Sequence, residues 1–258
     1  MDHEGHHEGQ TIGSTVLSHR FEIGASDLRR LIDKTRFAIS TEETRYYLNG
    51  IYLHIAQSDR TPVLRAVASD GHRLAQVELE LPRGATGMPG MIIPRKTVHE
   101  LHRLVEDSTG AVVIGASPAK VQFEIGTVTL TSKLIDATFP DYERIISLAN
   151  DKELKVSNIE FKTAVDRVST VSSERSGGIK LNISVDKLVL SVNNPDGGSA
   201  TEEIGIEYNA QPLEIGFNAR YLLDIASQLE NDTARFRLGG WRHEHNRAGR
   251  RNGAAVKK

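Results

Sequence analysis

The chain has 258 residues, 38% apolar and 26% charged, which is enough for two average domains, and no apolar run approaches the ~18 residues of a membrane span. It contains no cysteine, which excludes disulfides, thiolate zinc sites and cysteine nucleophiles, and its N-terminus lacks the basic-then-apolar order of a secretory signal, so a cytoplasmic location is expected. Net charge is −2, yet residues 239–258 set six basic groups against Glu244, a tail of +5 on a body of −7, so nucleic acid could be held only by basic groups gathered on one surface.

Residues 1–19 show neither helical nor strand periodicity and read as a disordered segment. A short strand follows at Arg20–Ile23. Ser26 then reads as an N-cap opening a helix to about Phe37, with Leu28, Leu31 and Ile32 as its buried stripe. Strand-like runs come next at Tyr47–Gln57, Val63–Ser69, Leu74–Leu79 and Gly90–Ile93. Pro94 sits at a helix start, where its missing N–H costs nothing, and Val98, Leu101, Leu104 and Val105 give that helix an apolar face. The runs Ala111–Gly115, Val121–Ile125 and Val128–Lys133 complete a first unit, 20–137.

The order then repeats over 138–238. After a connector at Leu134–Ile146 and a polar stretch, Ser157 or Asn158 opens a helix with Phe161, Val165 and Val168 inward. Strands are expected at Ile179–Val185, Lys187–Asn193, Glu202–Tyr208 and Leu213–Phe217. Asn218 caps a helix to Glu230 that packs Tyr221, Leu222, Ile225 and Leu229, and Ala234–Leu238 is a last strand. The stretch from Asp27 to Ile39 matches that from Ile159 to Val171, and Asn49-Gly50-Ile51 matches the entry to Ile179. A helix-then-meander unit used four times implies a pseudo-symmetric α+β body, two domains each with two helices packed on antiparallel sheets, because each helix must bury its stripe on a sheet.

Four blocks carry the most specific signal: Arg45-Tyr46-Tyr47-Leu48-Asn49-Gly50, Ser69-Asp70-Gly71-His72-Arg73-Leu74, Ile93-Pro94-Arg95-Lys96 and Phe139-Pro140-Asp141-Tyr142-Glu143-Arg144. Alone, each reads as a strand entry or an Asp-Gly turn. In this order and spacing they resemble the second domain and domain junction of bacterial sliding clamps, the beta subunit of DNA polymerase III. Ile215-Gly216-Phe217-Asn218 with Tyr221-Leu222-Leu223-Asp224 resembles the third domain, and the resemblance runs over roughly Phe21–Leu238.

The resemblance implies a DNA-clamp fold and a processivity factor without an active site, metal or cofactor. Its partners would be double-stranded DNA, the polymerase III alpha subunit, the clamp loader and other proteins carrying clamp-binding motifs, within a homodimeric ring. It implies a partner-peptide pocket of Leu48, Ser69, Gly71, His72, Arg73, Leu74, Pro140, Arg144 and Ile145, in which the apolar members form a floor and the arginines orient a peptide. It also implies DNA-facing groups Arg29, Arg30, Lys34, Arg45, Tyr46, Tyr47, Arg95, Lys96 and Arg103, since charge without base readout is what sliding requires. On an isolated helix such groups read as a solvated face.

Two chemical readings are set aside. His72 beside Asp70 has no nucleophile placed near it, and the His3, His6 and His7 group with Glu4 and Glu8 lies in an unstructured segment. By the resemblance the chain begins at the second of three domains. Without the first domain, ring closure is expected to be impaired, and because residues 239–258 form a basic, non-homologous tail without strand alternation, the last sheet is expected to keep an unpaired edge. A peptide-binding module that keeps the pocket without encircling DNA is the alternative function.

Overall fold

The computed structural model describes residues 17–146, 149–172, 177–195, 197–239 and, for the backbone alone, 255–257. The histidine-rich segment at residues 3–8 lies outside them, as does most of the tail. The chain divides into two units, 1–139 and 140–258.

Unit 1 runs β1 (His19–Gly24), α1 (Ala25–Asp33), β2 (Gly50–Ser58), β3 (Thr61–Ser69), β4 (Leu74–Glu80), β5 (Met91–Pro94), α2 (Arg95–Val105), β6 (Ala111–Ala116), β7 (Lys120–Ile125) and β8 (Val128–Lys133). Its two antiparallel sheets have the orders β1-β6-β7-β8 and β4-β3-β2-β5. Each helix is therefore flanked by strands of different sheets: β1 leads into α1 but pairs with β6 beyond α2, while β5 leads into α2 but pairs with β2 beyond α1. The helices bury Leu28, Leu31, Ile32, Val98, Leu101 and Val105 in one core with Leu64, Ile114 and Phe123. Each such side chain contributes about 1.5–3 kcal/mol relative to exposure.

Unit 2 repeats the order: β9 (Lys152–Ser157), α3 (Asn158–Ser169), β10 (Gly178–Ser184), β11 (Lys187–Asn194), β12 (Gly198–Gly205), β13 (Leu213–Asn218), α4 (Ala219–Ala226), β14 (Thr233–Leu238) and β15 (Ala255–Lys257). The sheets are β12-β11-β10-β13 and β15-β14-β9. Phe161 and Phe236 meet edge to face at 5.0 Å inside its core.

One device starts all four helices. A helix leaves its first N–H groups unpaired. Here the first of them bonds to a carbonyl at the edge of the neighbouring strand: Ala25 N to Gly110 O (2.9 Å), Arg95 N to Asn49 O (2.9 Å), Asn158 N to Asp232 O (2.7 Å) and Ala219 N to Gly177 O (2.8 Å). This explains why α1 begins at Ala25 with Gly24 as N-cap rather than at Ser26. It also aligns Gly24 with Ser157, one residue away from the sequence match, so that Leu28, Leu31 and Ile32 correspond to Phe161, Ala164 and Val165.

Other expectations shift for local reasons. α1 ends at Asp33, because the Thr35 hydroxyl turns back on the Leu31 carbonyl at 2.6 Å, and Phe37 belongs to a 3-10 turn at Arg36–Ala38. The expected strand start at Tyr47 is a 3-10 segment, Glu43–Leu48. The strand begins at Gly50, where a Cβ would sit 2.2 Å from the Ile93 carbonyl oxygen. β9 was hidden because only Leu154 and Val156 alternate within its charged run. α4 stops at Ala226, leaving Tyr221 and Ile225 half-exposed, and β12 ends at Gly205, earlier than expected. At the N-terminal end, Leu17 packs against Gly115 and β1 already starts at His19, so the ordered chain begins before residue 20. The expected unpaired edge is also corrected: Ala255–Lys257 pairs antiparallel with Arg235–Arg237 of β14. An open strand edge offers unpaired N–H and C=O groups that any extended segment can satisfy, and three residues are too few to show alternation.

Candidate functional site

Successive side chains of β2, β3 and β4 point to opposite faces, and Ile51, Leu53, Leu64, Ala66, Ala75 and Val77 face the unit 1 core. The opposite face carries Tyr52, Val67, Ser69, Leu74 and Gln76, with Ser69 paired to Leu74 and Tyr52 to Val67. Val67 is fully buried on this outer face. Tyr52 is sandwiched by His54 (centroids 4.4 Å, 16° between planes) and Phe139 (4.9 Å, 9°), and burial pushes its phenol pKa up. Phe139, the last residue of unit 1, is therefore stacked on the sheet. Beside this stack, Arg65 is buried and pairs with Glu78 at 2.6 Å.

Ser69-Asp70-Gly71-His72-Arg73-Leu74 forms the β3–β4 hairpin tip. The Asp70 carboxylate accepts from the backbone N–H of His72 (2.9 Å) and Arg73 (3.0 Å) through one oxygen, and from Arg73 Nε (3.0 Å) through the other. Ser69 Oγ donates to the Arg73 carbonyl (2.8 Å) and accepts from the Gly71 N–H (3.1 Å), while Gly71 supplies the positive φ of +86°. Arg73 also donates to the Phe37 carbonyl (2.7 Å) and lies over the Phe37 ring at 5.3 Å. The hydroxyl of Ser69 and the guanidinium of Arg73 thus brace the tip.

The neighbouring 3-10 segment belongs with this hairpin. Arg45 ion-pairs with Glu42 at 3.1 Å and donates to the Asp70 carbonyl at 3.3 Å. Tyr46, 55% exposed, meets Tyr47 edge to face, and Leu48 is buried. Of the residues expected to form a pocket, unit 1 places Ser69, Gly71, His72, Arg73 and Leu74 on one hairpin tip and Leu48 at the end of the 3-10 segment that carries Arg45. In unit 2, Pro140 precedes a 3-10 turn at Tyr142–Arg144, where Arg144 pairs with Asp141 at 2.6 Å and Ile145 is 59% exposed.

The expected DNA-facing residues separate into three groups. Arg45, Tyr46 and Tyr47 lie by the hairpin tip. Arg29, Arg30 and Lys34 lie on α1 or at its cap, where Arg29 donates to the Glu106 carbonyl (3.1 Å) at the end of α2 and His102 of α2 meets Asp33 at 2.8 Å. Arg103, paired with Glu100 at 3.4 Å, shares that end of α2. Arg95 and Lys96 are exposed at the other end, roughly 16 Å away for an 11-residue helix. Sequence reading missed Phe37, Glu42, Tyr52, Val67 and Phe139. Phe139 stood in one of the four blocks but without a role, and Tyr52 lay in an expected strand without a partner. Among the described residues no group of three or more His, Cys, Asp or Glu is arranged to hold a metal, and no helix is long and apolar enough to cross a membrane.

Comparison with known proteins covers most of the chain. A family model described as the DNA polymerase III beta subunit central domain matches residues 22–141, and one described as the C-terminal domain of that subunit matches 143–242. The beta sliding clamp of Caulobacter vibrioides is 51% identical over 227 residues, covering 88% of this chain and 61% of its own. A crystal structure of a sliding clamp from Bartonella birtlesii bound to griselimycin superposes with a TM-score of 0.85 at 54% identity, covering 89% of this chain and 62% of that one. The C. crescentus beta sliding clamp gives 0.86 at 50%, covering 89% and 61%. The chain spans about three fifths of the length of these relatives.

Proposed function

Because this chain belongs to the DNA polymerase III beta subunit family, matching its central and C-terminal domains, we propose that it serves as a non-catalytic processivity component that holds duplex DNA by charge and tethers partner proteins. The partners in this reading are the polymerase alpha subunit, the clamp loader and other proteins with clamp-binding motifs, and the assembly is a homodimeric ring.

The observation that carries the reading is the outer face of the unit 1 sheet. Leu74 stands at its hairpin end, buried Leu48 precedes β2, and the hairpin tip is fixed by bonds to Asp70, Ser69 and Arg73. A preformed apolar surface with a fixed rim docks a short peptide without first being ordered, and the entropy saved becomes affinity. His72 and Asp70 are committed to a turn, and we assign the chain no chemistry of its own.

DNA attraction falls to the helices. Contacts to phosphate hold a duplex without reading bases, as sliding requires. The alternative, a peptide-docking module that does not retain DNA, is favoured by one observation: outside α2, each helix carries equal numbers of acidic and basic residues. Titrating a fluorescent clamp-binding-motif peptide against the 258-residue chain and its Leu74→Asp variant tests docking. The expected result is binding that the variant weakens at least tenfold, and equal affinity for both would overturn it.

A further inference from the structure

We propose that Arg45, expected from sequence to face DNA, is instead a positioning residue for partner docking. Held by Glu42, it braces the Ser69–Leu74 hairpin tip against the turn that carries Leu48. The inference rests on the docking role proposed above and adds a residue to it.

Three contacts point this way. The Arg45 Nε is fixed by the Glu42 carboxylate at 3.1 Å, so the guanidinium plane is set from within its own turn. Its Nη1 then donates across to the Asp70 carbonyl at 3.3 Å. The same Nη1 lies so close to Gly71 that a Cβ there would sit 2.3 Å from it. An arginine fork pairing a carboxylate and a carbonyl at once is a geometric constraint, and it leaves fewer donors to meet a phosphate. Gly71 is a glycine for its φ of +86°, and a Cβ there would push the guanidinium off the tip.

The consequence concerns spacing. Leu48 ends the segment that holds Arg45, and Leu74 ends the loop that holds Asp70 and Gly71. Arg73 ties the same tip to Phe37, so the tip is held by one arginine of its own and one from the neighbouring turn. Without Arg45 the second tie is lost. The hairpin tip then opens more often, and a peptide must order the rim as it binds.

The test uses the full chain as parent, Arg45→Ala, Arg45→Lys and Gly71→Ala, with three readouts. Hydrogen exchange at the amides of residues 70–73 reports the brace without any peptide. A labelled clamp-binding-motif peptide reports docking, and a labelled duplex at low salt reports DNA contact. We expect R45A to speed exchange at 70–73 while leaving β6–β8 protected, and to weaken the peptide about tenfold, the equivalent of one charge-assisted hydrogen bond. R45K keeps the charge but not the fork, so it should recover little. G71A should weaken the peptide in the parent and add less in the R45A background, because both act on one contact. Unchanged exchange and equal peptide affinity in R45A, with weaker duplex binding that R45K restores, would overturn the brace and return Arg45 to DNA. If the parent itself bound no peptide, the docking reading would fall instead. Faster exchange in R45A would still stand as evidence for the brace.

Discussion

The two units share one frame and differ in what is added to it. Both combine two helices with two antiparallel sheets, each helix flanked in the chain by strands of different sheets, and both start each described helix with a backbone bond to the residue before a neighbouring strand. They part at the connection after the first helix. In unit 1 it runs over residues 34–49, twice the length of residues 170–177 in unit 2, and it carries Phe37, Glu42, Arg45 and Leu48. The longer connection supplies Arg45, which reaches the hairpin tip, and Phe37, whose carbonyl and ring hold Arg73. The helices differ too: α2 carries Arg95, Lys96 and Arg103 against Glu100, whereas α3 and α4 are balanced. A repeated frame fixed by backbone and core leaves its loops and helix surfaces open to specialise.

The shared frame can be broken from either core. Phe123 in unit 1 is fully buried and Phe161 in unit 2 is 1% exposed. Replacing either with alanine should destabilise its unit by about 3–5 kcal/mol, read by chemical denaturation. A loss below about 1 kcal/mol at one position would show that the two cores are not equivalent. A smaller effect sharpens the contrast in unit 1. The Asp70 and Arg73 side chains are largely buried, so Asp70→Ala should cost about 2 kcal/mol through the turn and the ion pair together. Its disturbance should centre on residues 69–74 by hydrogen exchange.

Helix capping separates the units more gently. Ser157 accepts from the Glu160 N–H and Asn218 from those of Arg220 and Tyr221, whereas Gly24 and Pro94 offer no side-chain cap. Asn218→Ala should cost about 1 kcal/mol, and Gly24→Ser should gain only a few tenths. Thermal melts of the two variants would show whether the strand carbonyl already satisfies α1.

The smallest effect is common to both units. Arg20 holds the Glu124 carboxyl below its ordinary 4.5 by a hydrogen bond, and Arg167 does the same to Glu202. A depressed folded-state pKa gives stability that is fully present above the ordinary value and lost as pH falls through the folded one. Melting curves of the parent and Glu124→Gln should therefore differ near neutrality and converge in acid. These pairs are exposed and the difference should be slight.

Much of the frame was legible because it is periodic. The stripes at Leu28-Leu31-Ile32 and Phe161-Val165-Val168 and the strand alternations survive in the core. The boundaries were not, since helix starts are set by carbonyls such as Gly110 and Asp232 that lie far along the chain. Within the site, Ser69, Asp70 and Gly71 announce a turn by themselves. The roles of Arg45 and Arg73 depend on Glu42 and Phe37, and no spacing rule connects residues brought together by a 3-10 turn. Family resemblance placed Arg45 among the DNA-facing groups, and its contacts with Glu42 and Asp70 could be seen only in three dimensions.

The proposed role requires duplex DNA to be attracted without sequence readout, and α2 of unit 1 is the helix with excess basic charge. The direct measurement is duplex affinity against salt concentration for the parent, for Arg95→Ala/Lys96→Ala in α2, and for Lys162→Ala/Arg220→Ala in α3 and α4. The account predicts a log–log salt slope that is the same for unrelated sequences, that falls by about 2 in the α2 variant, and that is nearly unchanged in the unit 2 variant. A slope untouched by the α2 substitutions, or affinity that depends on sequence, would contradict it.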